Sequence, residues 1–256
     1  MYCDIMSQIE DFFIRSNSAD FVQEKQYDKV KLLIETVDAF SRLSYQSVYL
    51  IDYYKQKFLY VPENPLFLCG HTVKEVKELG YPLYIKNVPE EEQKMLMEIN
   101  RAGSLFFDTI NPADKYRCSI SCDFHLLNRG KKVLVNHKLT PVKLTDEGEE
   151  WIAMCVVSLS SRKTSGHIEL HIGGSSKYWE YSLNAHRWKE SEEIILKREE
   201  KEVLRLSSEG LTMKEIAGRM CRSIDSVKFY RRCLFEKLKV TNITEALVYA
   251  ENYKLF

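Results

Sequence analysis

His167, Glu169 and His171 alternate in the stretch HIELH, a spacing that on a β-strand turns all three side chains to one face. Two imidazoles around a carboxylate are donor types suited to a divalent transition metal. The same alternation describes the solvated face of an ordinary strand, and that is the expected reading here, with no metal. His71, in CGHT, is expected as a hydrogen-bonded surface side chain. Cys118 and Cys122, in CSISCDFHLL, would lie about 13 Å apart along a strand, beyond the reach of a disulfide or a shared ion. The chain carries no GxSxG, no phosphate-binding glycine loop and no paired carboxylates, so catalysis is not expected. A different chemistry, the neutralisation of phosphate, is offered by SIDSVKFYRRCLFEKL, where Lys228, Arg231, Arg232 and Lys237 are brought together.

Such cations need a rigid carrier. At 3.6 residues per turn Val227, Tyr230, Leu234 and Leu238 form one apolar stripe of a helix, while Lys228 and Arg232 project from another side and Arg231 sits at the stripe's edge. Ser223 is placed to cap the helix start. Lysine plus arginine equals aspartate plus glutamate over the whole chain, 37 against 37. The balance is uneven: from Leu196 onward thirteen basic side chains face nine acidic ones, and from Lys214 to Lys239 the count is eight against three. A neutral total therefore conceals a basic patch of the kind that attracts polyanions.

The polar stretch AHRWKESEE, Ala185 to Glu193, is the expected domain boundary, and four helical patterns follow it. The first presents Leu196, Val203 and Leu206 and stops at SSEG, where Gly210 suits a positive-φ position. Thr212 and Glu215 have capping-box spacing ahead of Ile216, Ala217 and Met220. The basic helix comes after a short link at Cys221 and Arg222, and a last helix turns Ile243, Ala246, Leu247 and Ala250 inward. Two short helices in close succession, the second basic, form a helix-turn-helix.

Through LKREEKEVLRLSSEGLTMKEIAGRM, SVKFYRRCLFEKLKV and NITEALVYA the segment resembles the LuxR-type helix-turn-helix. Glu200, Val203, Leu204, Gly210, Leu211, Glu215, Ile216, Ala217, Ser223, Val227, Lys228, Lys237, Leu238, Val240 and Ala246 coincide with the family pattern. Lys197 stands where the family has a threonine cap, Ser226 where it has threonine and Tyr230 where it has histidine. The resemblance implies that the helix from Ser223 enters the major groove of double-stranded DNA. Lys228 is then the candidate for a base edge or nearby phosphate, Arg231, Arg232 and Lys214 for phosphates, and Ser223, Ser226 and Lys237 complete the expected contacts. In this family the last helix self-associates, so Val248, Tyr249 and Asn252 are the expected homodimer surface.

In the N-terminal part, Val30, Leu33, Ile34, Val37 and Phe40 have helical spacing. SVYLID and KFLYV read as a hairpin, NPLFLCG and TVKEVKELG as short helices, and CSISCDFHLL, VLVNHKLTPVKLT and EWIAMCVVSLS as three long strands, an α+β module with one sheet face covered. Over Tyr45 to Ser161 this order resembles a PAS sensor domain, through YLIDYYKQKFLYVPEN, LCGHTVKEV, NVPEEE and WIAMCVVSL. The resemblance implies a sheet and short helices that enclose a small ligand or haem, or only supply a dimer surface. Cys118, Ile120, Cys122, Phe124 and Met154 would line the cavity, or else form plain core. HIELHI and KYWEYSL around GGSS look like a further hairpin joining the two parts.

The expected organisation is α+β: an N-terminal helical segment at 1–44, a PAS-like antiparallel sheet with helices at 45–161, a hairpin and linker at 162–195, and an all-α four-helix LuxR-type domain at 196–256. The expected function is transcriptional regulation, with double-stranded DNA, a second copy of the chain and RNA polymerase as partners, and with a small-molecule ligand but no cofactor. Seven cysteines without CxxC pairs, and no secretory leader, point to the cytoplasm. No apolar run approaches the roughly 18 residues of a membrane span. Three rivals are weighed: a scaffold whose PAS-like domain recruits a protein, an enzyme fused to a DNA-binding head, and a sigma-factor region, which shares the helix-turn-helix but would lack a fourth helix of the NITEALVYA type.

Overall fold

The computed structural model describes residues 22–192, 194–253 and 255, so residues 1–21 of the expected N-terminal segment lie outside the described residues. The chain forms two compact units. One runs up to Leu159 and takes in Thr164–Ser191; the other joins Ser160–Lys163 to the chain from Glu192 onward.

The first unit is built on an eight-stranded sheet: β1 (Ser47–Asp52), β2 (Lys57–Tyr60), β3 (Cys118–Asn128), β4 (Lys131–Leu144), β5 (Glu150–Leu159), β6 (Ile168–Ile172), β7 (Lys177–Ser182) and β8 (Arg187–Glu192), in the order β2-β1-β5-β4-β3-β6-β7-β8. Pairing is antiparallel from β2 through β7. The turn between β3 and β4 uses Arg129 and Gly130, both at positive φ (48° and 76°), the conformation that matches the twist of a tight hairpin. Helix α1 (Val30–Ser41) lays Val30 and Val37 against Val48, Leu50, Trp151 and Ile152 on one sheet face. On the other face α2 (Pro65–Leu68), α3 (Val73–Leu79), α4 (Pro82–Asn87) and α5 (Glu90–Thr109) cover Tyr49, Ile51, Phe124, Val135, Cys155 and Val157.

The sheet is thus covered on both faces where one was expected. The reason lies in β1 and β5, which are apolar at odd and even positions alike, as suits strands buried on both sides. The expected joining hairpin also differs. β6 pairs with β3, Ile120 opposite Leu170, so HIELHI and KYWEYSL extend the sheet. The expected polar boundary supplies β8, because Trp188 packs its ring 5.2 Å from Phe106 and 5.1 Å from Tyr181 and donates to the Ala102 carbonyl.

The second unit holds α6 (Arg198–Ser208), α7 (Met213–Arg219), α8 (Ile224–Leu238) and α9 (Ile243–Tyr253), the four helices expected. Leu204, Leu234, Leu238, Ala246 and Ala250 form one core cluster, and Val203, Leu206, Ile216, Ala217 and Val227 a second. Gly210 adopts φ 79°, as its place after α6 required. No helix among the described residues is long and apolar enough to cross a membrane.

Candidate nucleic-acid interface and ligand cavity

Local capping sets up α7 and α8. The Thr212 hydroxyl accepts from the Glu215 N–H at 3.4 Å and donates to the Glu215 carboxylate at 2.6 Å, and the Thr212 N–H donates to it at 2.8 Å; the two bonds to the carboxylate, the hydroxyl's first, hold it below its usual range. Cys221, at φ 50°, turns the chain between the helices. Ser223 then caps α8 by accepting the Ser226 N–H at 3.1 Å, and the two hydroxyls lie 2.9 Å apart. Burial of Val227, Leu234 and Leu238 leaves Asp225, Lys228, Phe229, Arg232 and Glu236 on the exposed face. Lys228 lies 3.2 Å from Asp225, and Arg232 lies 4.0 Å from Glu236 with its guanidinium 5.6 Å over the Phe229 ring. Exposed pairs of this type contribute little, so phosphate can displace the acidic partners.

Lys214 is exposed on α7 as expected. Arg231 is half-buried between α7 and α8, over the Phe235 ring at 5.0 Å and 3.4 Å from the Met213 sulfur. Lys237 departs from expectation. Its ammonium lies 2.6 Å from Glu200 and 3.1 Å from the Ile195 carbonyl, and Glu200, only 2% exposed, also accepts the Lys197 N–H. This cation neutralises a buried acid inside the helical unit, a structural role that the sequence reading did not give it.

A second departure concerns α9. Tyr249 and Asn252, expected to face outward, are 3% and 4% exposed. Tyr249 stacks on Tyr253 at 4.3 Å and lies beneath the Arg162 guanidinium at 4.9 Å, while Lys163 reaches Glu245 at 3.4 Å and the Thr241 hydroxyl at 3.1 Å. The outward line is Thr244, the half-buried Val248 and Glu251. Sequence reasoning missed Phe229 and Ile224, large apolar side chains 50% and 42% exposed on α8. Their position off the buried stripe was the available signal.

Between the sheet and the helical layer α2–α5 of the first unit lies a cavity of about 120 Å³. Cys118, Ile120, Cys122 and Phe124, for which the sequence left cavity lining and plain core open, border it, with Cys118, Cys122 and Phe124 buried. Met154 does not. It pairs with Leu50 and Thr140 and packs among the residues covered by α1, while the adjacent Cys155 faces the inner core. Tyr53, Tyr81, Tyr84 and Phe107 give the cavity aromatic walls. His137 lies 2.6 Å from the Tyr49 hydroxyl, and burial lowers its pKa to about 4, which keeps it neutral. Glu150, which sequence reasoning also missed, lines the same cavity; burial pushes its carboxyl up to about 8.

The HIELH residues share a face as expected, but it is not a solvated one. Glu169 is 2% exposed and receives His167 at 2.7 Å and His171 at 3.0 Å. Burial alone would raise its carboxyl; the two histidines outweigh that and hold it down to about 2. His167, Glu169 and Glu180 bring potential ligand atoms within 4.8 Å of one another.

No curated protein matches the chain. Residues 195–250 match the GerE family, described as bacterial regulatory proteins, luxR family, which makes the C-terminal unit a luxR-type helix-turn-helix. Among solved structures, the chain is similar to a Vibrio cholerae VqmA dimer described in the absence of target DNA, with 16% identity over 87% of this chain and 88% of that one, at a TM-score of 0.32. It is also similar to a phage VqmA–DPO complex (14% identity, 88% and 91% covered, TM-score 0.31) and to a Vibrio cholerae VqmA–ligand–DNA complex (15%, 86% and 88%, TM-score 0.32).

Proposed function

We propose that this chain is a cytoplasmic, DNA-binding transcriptional regulator whose N-terminal, PAS-like unit senses a small molecule and whose luxR-type unit binds operator DNA as a homodimer. The observation that carries the DNA-binding part is the exposed face of α8, where Lys228 and Arg232 flank Phe229 on a helix capped by Ser223. Lysine near the helix start reaches a base edge or a neighbouring phosphate, arginine one turn on grips phosphate, and the phenyl ring suits a thymine methyl. Lys214 adds a phosphate contact from α7. The sensing part is supported by the cavity, since a fully packed interior would favour a scaffold instead. Pairing of α9 narrows to Val248 flanked by Thr244 and Glu251, a mostly polar line, so the N-terminal unit supplies much of the dimer surface.

Fluorescence anisotropy with a selected operator at several salt concentrations tests the reading. Lys228→Ala should weaken binding to that operator by about 1–3 kcal/mol and narrow its margin over unrelated DNA. Arg232→Ala should weaken all sequences alike and flatten the salt slope by about one unit. Unchanged affinities in both variants would remove α8 as the reading helix.

A further inference from the structure

We infer that the cavity of the N-terminal unit takes a small one-ring amine, with the Glu150 carboxylate as its counter-ion. This rests on the sensing reading above and names the ligand class for it.

Glu150 opens β5 opposite Leu144 and lines the cavity. Its Oε1 is buried and has no hydrogen-bond partner among the described residues, an arrangement that ordinarily calls for an unoccupied partner position. The groups facing it do not fill that position. Lys115 pulls its carboxyl toward ionisation, but the Lys115 ammonium donates to the Gly148 carbonyl at 2.8 Å and lies 4.8 Å over the Phe107 ring. Cys118, Cys155, Tyr53 and Tyr81, the other titratable neighbours, are held in their neutral forms by burial. Among the described lining residues Glu150 is the one acid, no lysine or arginine appears, and His137 is neutral. The cavity's charge complement is therefore a cation.

Size and walls narrow the class. The cavity of about 120 Å³ is smaller than the roughly 150 Å³ void that admits benzene, so one small ring is the upper limit of what it holds, with the amine directed at Glu150. The faces of Tyr53, Tyr81 and Tyr84 attract an ammonium group as well as an apolar ring. In the free protein at neutral pH the Glu150 carboxyl carries a proton, its pKa being about 8. Binding of the ammonium releases that proton to solvent and replaces it with a charge-assisted N–H···O bond. Affinity for the amine should accordingly rise with pH through about 8 and fall once the amine loses its own proton.

Isothermal titration of the full chain with benzylamine and with benzyl alcohol, in two buffers of different ionisation enthalpy, tests this. At pH 7.5 benzylamine should bind about tenfold more tightly than benzyl alcohol and release about three-quarters of a proton. Glu150→Gln, which keeps the shape of the protonated side chain, should reduce benzylamine affinity about tenfold and leave benzyl alcohol binding unchanged, the latter also reporting an intact fold. Equal binding of both probes, or equal benzylamine binding by wild type and variant, overturns the amine assignment while leaving a ligand-binding cavity. Binding of neither probe to the wild type overturns the sensing reading together with it.

Discussion

Replacing Lys237 by alanine should destabilise the C-terminal unit by about 3 kcal/mol, because the change strands the Glu200 carboxylate, 2% exposed, without its cation. The partner's burial sets the size of the effect; an exposed pair would contribute well under 1 kcal/mol. Adding Glu200→Gln should recover most of the loss, since the amide oxygen still accepts the Lys197 N–H and no buried charge remains. Urea unfolding followed by far-ultraviolet circular dichroism gives both values. In DNA titrations at a temperature where the variant is folded, the salt slope should match wild type. A reduced slope with unchanged unfolding would return Lys237 to the DNA surface.

Phe124→Ala should lower the stability of the N-terminal unit by about 3–5 kcal/mol. Phe124 is 2% exposed in the inner core, its ring 5.8 Å from His137, and it already borders a void that the surroundings have not closed. Truncation enlarges that void instead of allowing collapse, which places the effect toward the upper end. Trp151, Trp179 and Trp188, the three tryptophans of the chain, all lie in this unit, so thermal unfolding read by tryptophan fluorescence reports on it selectively. A shift of less than 1 °C would mean that Phe124 contributes little packing.

The helix-turn-helix was legible because its determinants are local. Caps at Thr212 and Ser223, the glycine at 210 and the stripe from Val227 to Leu238 each lie within a few residues of what they control. What stayed hidden depends on partners far along the chain. Lys237 reads as one more cation on a basic helix until Glu200, 37 residues earlier, comes beneath it. Tyr249 reads as outward until Arg162 covers it. In β5, WIAMCVVSL is apolar at both parities, so alternation could not say whether Met154 or Cys155 faced the inner core. β8 was missed for the opposite reason: its side chains are largely charged, and only the packing of Trp188 marks it as part of the sheet.

Among the described residues the sheet is open, and an open sheet presents unpaired N–H and C=O groups along its two borders, an invitation for another chain to add a strand. Both borders are blunted here. β2 has four residues, and β8 sets Arg187, Lys189, Glu190 and Glu192 in solvent, with both signs of charge along one short run. A second copy laid against β8 in parallel, in-register pairing would set like charges opposite one another, and the β2 side offers few backbone partners. The short β2 and the charged β8 thereby disfavour the strand-by-strand growth that open sheet borders allow.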